Sequence, residues 1–120
     1  MKANTGVQLF GALDDVLLRV HPPIIRTQKT IAGTGEWPAG LLVTEAAGKI
    51  KPFDEASADA PIGVLTRPCN LDNEDIARYI VHGTVRTSKL TVSGGGSPTS
   101  ATLTMLEAIG IWPISDPMND

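Results

Sequence analysis

Four short apolar runs between Trp37 and Arg86 decide the fold of this chain. They are WPAGLLV (37–43), GKI (48–50), APIGVL (60–65) and ARYIVHGTVR (77–86). Proline, glycine and acidic residues separate them, and short apolar runs bounded by such turn residues are typical of β strands. The stretch therefore predicts a small β-rich module, and it contains no cluster of residues that would suit catalysis.

The runs place four strands on the chain. We expect these strands at Leu41–Thr44, Lys49–Phe53, Pro61–Thr66 and Ile76–Val85. The first two suit a hairpin, because Ala46-Ala47-Gly48 turns the chain between them. Gly63 inside the third strand predicts a bulge or a close backbone approach, and Gly83 near the end of the fourth predicts a sharp bend.

One helix is expected near the C-terminus, after residues 91–96, which we interpret as a flexible linker. Ser97 can cap this helix, and Pro98 suits its first position, where a missing amide hydrogen costs nothing. One face carries apolar residues at three-residue spacing: Leu103, Leu106 and Ile109. Gly110 suits the left-handed residue that ends a helix, and the apolar segment Ile111–Ile114 then has to dock elsewhere on the protein.

The first 35 residues differ from the rest of the chain. Two extended segments, 14–20 and 24–31, flank His21-Pro22-Pro23, where two prolines remove amide donors. Residues 32–35, with two glycines, suit a flexible hinge. The section therefore resembles an extended arm with an edge strand, which either joins the sheet of another chain or pairs within its own domain.

Length and composition indicate one compact domain, at residues 36–120, preceded by the arm at residues 1–35. The whole chain has 120 residues, which is enough for one core and too few for two ordinary domains. Aromatic residues make up only 4% of it, so the core has to come from aliphatic side chains. Oligomerisation would add a second buried apolar surface and stabilise such a chain.

Charge and composition also weigh against several partners. The net charge is −3 and the basic residues are scattered, so we expect no contact with nucleic acid. No apolar run approaches the length of a membrane span, and residues 1–6 lack the apolar core of a signal peptide, so we expect synthesis in the cytoplasm. Cys69 is the one cysteine, and we expect it to be a partly buried thiol with a raised pKa.

No motif predicts an enzyme, a metal site or a cofactor. His21 and His82 lie in unlike contexts, and the acidic turn at 73–75 has no metal-ligand spacing. The glycines at 94–96 precede a helix, as in a phosphate-binding loop, but no Lys-Ser/Thr pair follows them. We therefore expect a structural protein without cofactors.

The order of the motifs resembles the head decoration proteins of lambda-like tailed bacteriophages. The matching segments are AGLL (39–42), GKIKP (48–52), APIGVL (60–65), YIVHGTVR (79–86) and LEAIGIWP (106–113). In that family a short helix also ends in Gly-Ile-Trp-Pro. The resemblance covers about residues 37–114, whereas the N-terminal section and the glycines at 94–96 have no clear counterpart.

The resemblance implies a fold and a role. The fold would be mainly β (α+β): a bent β-ribbon closing an incomplete, β-clip-like barrel, with an extended N-terminal arm and one short C-terminal helix. The protein would form a homotrimer at three-fold and quasi-three-fold sites on the outer surface of the expanded head. There it would bind the major capsid protein and cement the shell against internal DNA pressure. It would be made in the host cytoplasm and end in the virion.

The resemblance also implies two sets of contact residues. In the family the N-terminal segment orders on binding and adds to a capsid strand, which makes the arm the expected capsid contact. Its candidate residues are Val16, Leu18, Val20, Ile24, Ile25, Thr27 and Ile31. The residues expected to form trimer contacts or close the core are Trp37, Leu106, Ile109, Trp112 and Ile114.

Two alternatives remain open at this level. Another self-assembling virion part, such as a tail-tube or fibre-base module, is also β-rich, but tube proteins form rings of six. The bent-ribbon architecture also supports trimeric nucleotide hydrolases, which need carboxylates for magnesium and a phosphate-binding glycine motif.

Overall fold

The computed structural model describes residues 22–115, so Val16, Leu18 and Val20 of the predicted capsid contact lie outside the described residues. The fold is mainly β, as predicted from the sequence. The strands are β1 (Ile24–Lys29), β2 (Glu36–Trp37), β3 (Leu42–Ala46), β4 (Lys49–Pro52), β5 (Gly63–Leu65), β6 (Cys69–Asn70), β7 (Ile76–Arg86) and β8 (Ile111–Ile114). A 3₁₀ turn at Thr87–Lys89 follows β7, and the described helix, α1, spans Ser100–Ala108.

The main sheet is a bent and incompletely closed ribbon. Its antiparallel strands follow the order β1-β7-β5-β3-β4, and β8 joins β7 in parallel. The two edge strands approach each other at one place, where Thr30 bridges to Ile50 and the Ile31 N–H donates to the Ile50 carbonyl at 2.9 Å. The predicted bent ribbon with a short C-terminal helix is confirmed.

The segment that precedes the body pairs within its own domain. β1 lies along β7, with Lys29 opposite Ile76. Of the two alternatives for residues 24–31, pairing within the same domain therefore holds. The expected hinge at 32–35 is tethered, because Gly35 donates to Asp72 Oδ1 at 3.2 Å and accepts from the Leu71 N–H at 2.8 Å. That residues 1–21 act as an arm stays a prediction.

Alternation along the central strands creates two apolar cores on opposite faces of the sheet. Core 1, inside the ribbon, contains Trp37, Leu41, Val43, Ile50, Leu65, Cys69, Ala77 and Tyr79. Core 2, under α1, contains Leu42, Phe53, Val64, Ile80, Leu90, Val92, Leu106 and Ile111. Sequence neighbours enter different cores, as Tyr79 and Ile80 do, so the middle of the sheet is buried on both faces.

The predicted turns and glycine positions have clear physical reasons. Ala47 and Gly48 join β3 to β4 with φ of 53° and 80°, which is the type I′ geometry that matches strand twist. Gly63 is a close approach, because a Cβ there would lie 2.5 Å from Tyr79 Cδ2 and 2.6 Å from the Ile80 carbonyl oxygen. Both predictions are confirmed.

The start of the helix differs from the prediction. Thr99, not Ser97, caps α1, since its hydroxyl accepts the Thr102 N–H at 3.4 Å and Pro98 lies outside the helix. The predicted linker at 91–96 is a hydrogen-bonded turn, in which the Val92 N–H donates to the Gly96 carbonyl at 2.9 Å. Gly110 follows α1 with φ of 94°, as predicted.

Candidate interaction surfaces

Exposed apolar side chains occur mainly near the two ends of the described chain. Among residues 22–115 the large hydrophobic residues that are exposed are Ile24, Ile25, Ile76, Met105, Ile109 and Ile114. Two lie on β1, one at the start of β7, two at α1 and its end, and one at the end of β8. Since β3 to β5 bury their apolar residues in the two cores, the scaffold and the exposed apolar surface are separate parts of the molecule.

The edge-strand surface, defined by Ile24, Ile25 and Thr27, lies on β1. Ile24 is 52% exposed and Ile25 is 44% exposed, although both belong to a paired strand. Ile24 pairs with His82 and Ile25 with Ile80, so β7 bulges at this point and Val81 is the extra residue. Apart from the Thr30 bridge, none of the strands within residues 22–115 pairs with the outer edge of β1.

Ile31, the last described member of the predicted capsid contact, has a different environment. It is half-buried and packs against core 1, and its N–H is bonded to Ile50. Its apolar surface is therefore used mainly inside the chain, whereas the residues of the edge-strand surface face solvent.

The second predicted set divides into buried and exposed residues. Trp37 is buried in core 1 and Leu106 in core 2, so both close cores. Ile109 and Ile114 are exposed, at 44% and 50%, and Trp112 is half-buried. We call Ile109, Trp112 and Ile114 the C-terminal surface.

The two surfaces meet near the middle of β7. The Trp112 ring contacts the His82 ring edge-on, with the centroids 5.4 Å apart, and Ile109 lines a groove together with Arg26 and Val81. Gly110 is required at this junction, because a Cβ would lie 3.0 Å from His82 Nδ1 and its φ is positive. The Gly-Ile-Trp-Pro segment thus brings the end of the chain beside the strand that pairs with β1.

Two buried titratable groups have raised pKa values. Burial raises the pKa of Cys69, with a further contribution from Glu74, as the sequence predicts for a spectator thiol. Burial also raises the pKa of Tyr79, whose hydroxyl donates to Gln28 Oε1 at 2.6 Å. Within residues 22–115 no group of three or more His, Cys, Asp or Glu residues could hold a metal ion.

Three positions went unnoticed in the sequence. Gln28 links β1 to the hairpin by donating to Glu45 Oε2 and to the Gly48 carbonyl, both at 2.8 Å. Arg86 and Lys89 line one groove beside core 2, although the sequence shows them only as scattered basic residues. The sequence signal for this shared groove was that Arg86 and Lys89 lie three residues apart across the end of a strand.

The described part of the chain contains no helix long and apolar enough to cross a membrane. No family model matches the chain, and no curated protein matches it significantly.

Proposed function

We propose that this chain is a decoration protein of a tailed-phage head, which binds as a trimer to the expanded shell and cements it. The observation that carries the proposal is the separation described above. A scaffold buried on both sheet faces presents exposed apolar residues on an edge strand and on a neighbouring C-terminal surface. The sequence resemblance supplies the partner, which is the major capsid protein.

The proposed mechanism uses the two surfaces differently. The outer edge of β1 would accept or extend a capsid strand by backbone hydrogen bonds, with Ile24 and Ile25 packing on its apolar side chains. The C-terminal surface would face neighbouring copies in the trimer. Three edge strands on one trimer would engage together, so a weak contact at each site would give firm attachment to the shell.

The first experiment is a measurement of mass in solution by sedimentation equilibrium. The proposal requires a trimer, whereas a ring of six copies would favour a tail-tube module. The Ile114→Ser variant should weaken the trimer if the C-terminal surface forms it. A monomeric wild-type chain at high concentration would contradict the proposed assembly.

The second experiment tests the capsid contact with heads of a lambda-like phage that lack their own decoration protein. The Ile24→Ser/Ile25→Ser variant should lose binding to expanded heads while keeping its fold. Ile76→Ser is a matched control, because Ile76 is 39% exposed at the other end of the β1–β7 pair. Equal binding by both variants would contradict a role for the edge-strand surface.

A third measurement separates the proposal from the hydrolase alternative. Nucleoside triphosphate turnover with magnesium should stay at the level of a blank. Turnover that copurifies with the folded chain would overturn the structural role.

A further inference from the structure

A polar groove lies beside the bridge between Thr30 and Ile50, where the edge strands β1 and β4 meet. We call it the seam groove; its volume is about 320 Å³ and three parts of the chain form it. These parts are residues 29–33 at the end of β1, Lys49 on β4, and Leu71, Glu74 and Asp75 between β6 and β7. Two lysines and two carboxylates line the groove, so a small ligand would meet both donors and acceptors of hydrogen bonds.

Thr30 supplies a buried hydroxyl to the wall of the seam groove. The residue lines the groove and is only 5% exposed. Its N–H donates to the Asp75 carbonyl at 2.9 Å, but its Oγ1 atom has no hydrogen-bond partner among residues 22–115. A buried hydroxyl without a partner is unfavourable. A ligand that bonds to this hydroxyl therefore removes a cost that the folded chain otherwise bears.

The charged residues of the seam groove differ in how they are paired. Lys29 Nζ lies 3.4 Å from Asp75 Oδ2, and Glu74 Oε2 accepts the Asn70 N–H at 3.2 Å. Lys49 is exposed, and its ammonium group has no ion pair or hydrogen bond within the described part of the chain. Lys49 is therefore the cation that an anion can bind, and the Glu74 carboxylate keeps further acceptor capacity.

This combination suits hydrogen phosphate better than sulfate. Both ions are tetrahedral and accept hydrogen bonds from ammonium and hydroxyl donors. Only hydrogen phosphate also carries a P–OH group, which can donate to a carboxylate. A sulfate oxygen would instead face the Glu74 carboxylate with no proton between them, and that repulsion lowers its affinity.

We propose that the seam groove binds one hydrogen phosphate ion, with Lys49 and Thr30 as donors and Glu74 as the acceptor. The bound ion joins β4, the end of β1 and the segment before β7 at the place where the ribbon closes. It therefore stabilises the folded chain. This proposal does not depend on capsid binding.

A titration of the ¹⁵N-labelled chain, followed by NMR at pH 7, tests the site. Sodium phosphate and sodium sulfate are compared at equal ionic strength. Phosphate should shift the amide signals of Thr30, Gly33 and Lys49 to saturation, and sulfate should bind more weakly. Gly95, which lines a different groove, should keep its signal. No saturable shift with phosphate, or equal affinity for the two ions, would overturn the proposal.

Thr30 variants separate binding from folding. Thr30→Val has nearly the same shape and should raise the dissociation constant for phosphate about tenfold, because one hydrogen bond to a charged ligand is lost. Without phosphate its melting temperature should equal or exceed that of the wild type, since no unpaired hydroxyl is left. Thr30→Ser keeps the hydroxyl and should retain binding. Wild-type affinity in Thr30→Val would contradict the assigned donor.

Lys49 has a matched control on the same strand. Lys49→Gln should weaken phosphate binding about tenfold, because an ammonium donor is lost. Lys51 lies two residues further along β4, does not line the seam groove and pairs with Asp59 at 3.3 Å. Lys51→Gln should therefore retain wild-type affinity. An equal loss in both variants would mean that the ion responds only to net charge.

Two further measurements test the acceptor and the source of the phosphate. Glu74→Gln should reduce the preference for phosphate over sulfate, because an amide can donate to either ion. O-phosphoserine should bind more weakly than inorganic phosphate, since a phosphomonoester has lost most of its last proton at pH 7. An unchanged preference in Glu74→Gln would refute the assigned acceptor. Tighter binding of O-phosphoserine would overturn the free ion as the ligand.

Discussion

The two cores are built from the same strands but are covered in different ways. Core 1 draws its residues from 37–79 and is enclosed by the curvature of the ribbon itself. Core 2 extends from Leu42 to Ile111, and without α1 and β8 its face of the sheet would be open to water. The ribbon therefore has one face that it can bury alone and one that depends on the C-terminal segment.

The largest expected effect comes from removing the cover of core 2. Leu106→Ala should lower the free energy of unfolding by about 3 kcal/mol, because Leu106 is fully buried and its loss leaves a cavity. Ile109→Ala, at the residue that follows the last turn of α1, is the control and should change stability by less than about 0.5 kcal/mol in the isolated chain, since its side chain is exposed. Urea denaturation measures both, and equal losses would mean that α1 does not seal core 2.

A corresponding disruption of core 1 comes from adding an atom. Gly63→Ala should cost about 2 kcal/mol, because the new Cβ would press on the Tyr79 ring and on the Ile80 backbone, which is not free to move. Gly96→Ala is the control, since a Cβ there meets nothing within 4 Å. Urea denaturation again gives the difference, and an unchanged Gly63→Ala variant would refute the close approach of β5 and β7.

Each core also has a polar contact at its margin. At core 1, Gln28→Ala leaves the Tyr79 hydroxyl buried without its 2.6 Å partner and should cost about 1.5 kcal/mol. Adding Tyr79→Phe should recover part of that loss, because the unpaired hydroxyl is then gone. Thermal unfolding of the two single variants and the double variant measures this coupling, and strictly additive effects would argue against the bond.

Core 2 has its counterpart in Glu55, which accepts the Thr102 hydroxyl at 2.6 Å and the Thr99 N–H at 2.7 Å. These bonds, that of Thr102 first, lower the pKa of Glu55 below its ordinary value of 4.5. Because the pKa is lower in the folded state, the ionised carboxylate stabilises the protein above pH 4.5. This stabilisation is lost as the pH falls through the pKa of the folded state.

Glu55→Gln should therefore reduce the melting temperature at pH 7 and weaken its dependence on pH below 4.5. We expect a smaller effect than that of Gln28→Ala, because the Glu55 carboxylate is accessible to solvent. Glu107→Gln is the control, because Glu107 is an exposed glutamate on α1, the helix that Glu55 contacts. Parallel pH profiles for the wild type and Glu55→Gln would show that this carboxylate does not anchor α1.

The sequence predicted the parts of the fold that local chemistry determines. Ala46-Ala47-Gly48 revealed the hairpin and Gly110 the end of the helix, since both positions need unusual backbone angles. The strands of core 1 could be inferred for a different local reason: they alternate and follow one another closely along the chain.

The predictions that failed concern features that depend on residues far apart in the sequence. The cap at Thr99 differs from Ser97 because Glu55, far along the chain, accepts the Thr99 N–H. The parallel pairing of β8 with β7 and the two-residue pair β2–β6 leave no periodic pattern to detect. Of the contact residues, the exposed Ile24 and Ile25 could be recognised as edge residues, whereas the half-burial of Ile31 follows only from the bridge to β4.

The smallest expected effect concerns the hairpin that supplies strands to both cores. Ala47 has a φ of 53°, which costs an L-residue with a plain Cβ about 1 kcal/mol, whereas asparagine tolerates this conformation better. Ala47→Asn should therefore stabilise the protein by about 0.5 kcal/mol, as measured by urea denaturation. Ala56→Asn, in another exposed loop, is the control and should have no such benefit. Because Ala47 is exposed and belongs to neither core, the gain should persist in both the Leu106→Ala and Gly63→Ala backgrounds. A gain confined to one background would mean that the turn is coupled to that core rather than to the hairpin alone.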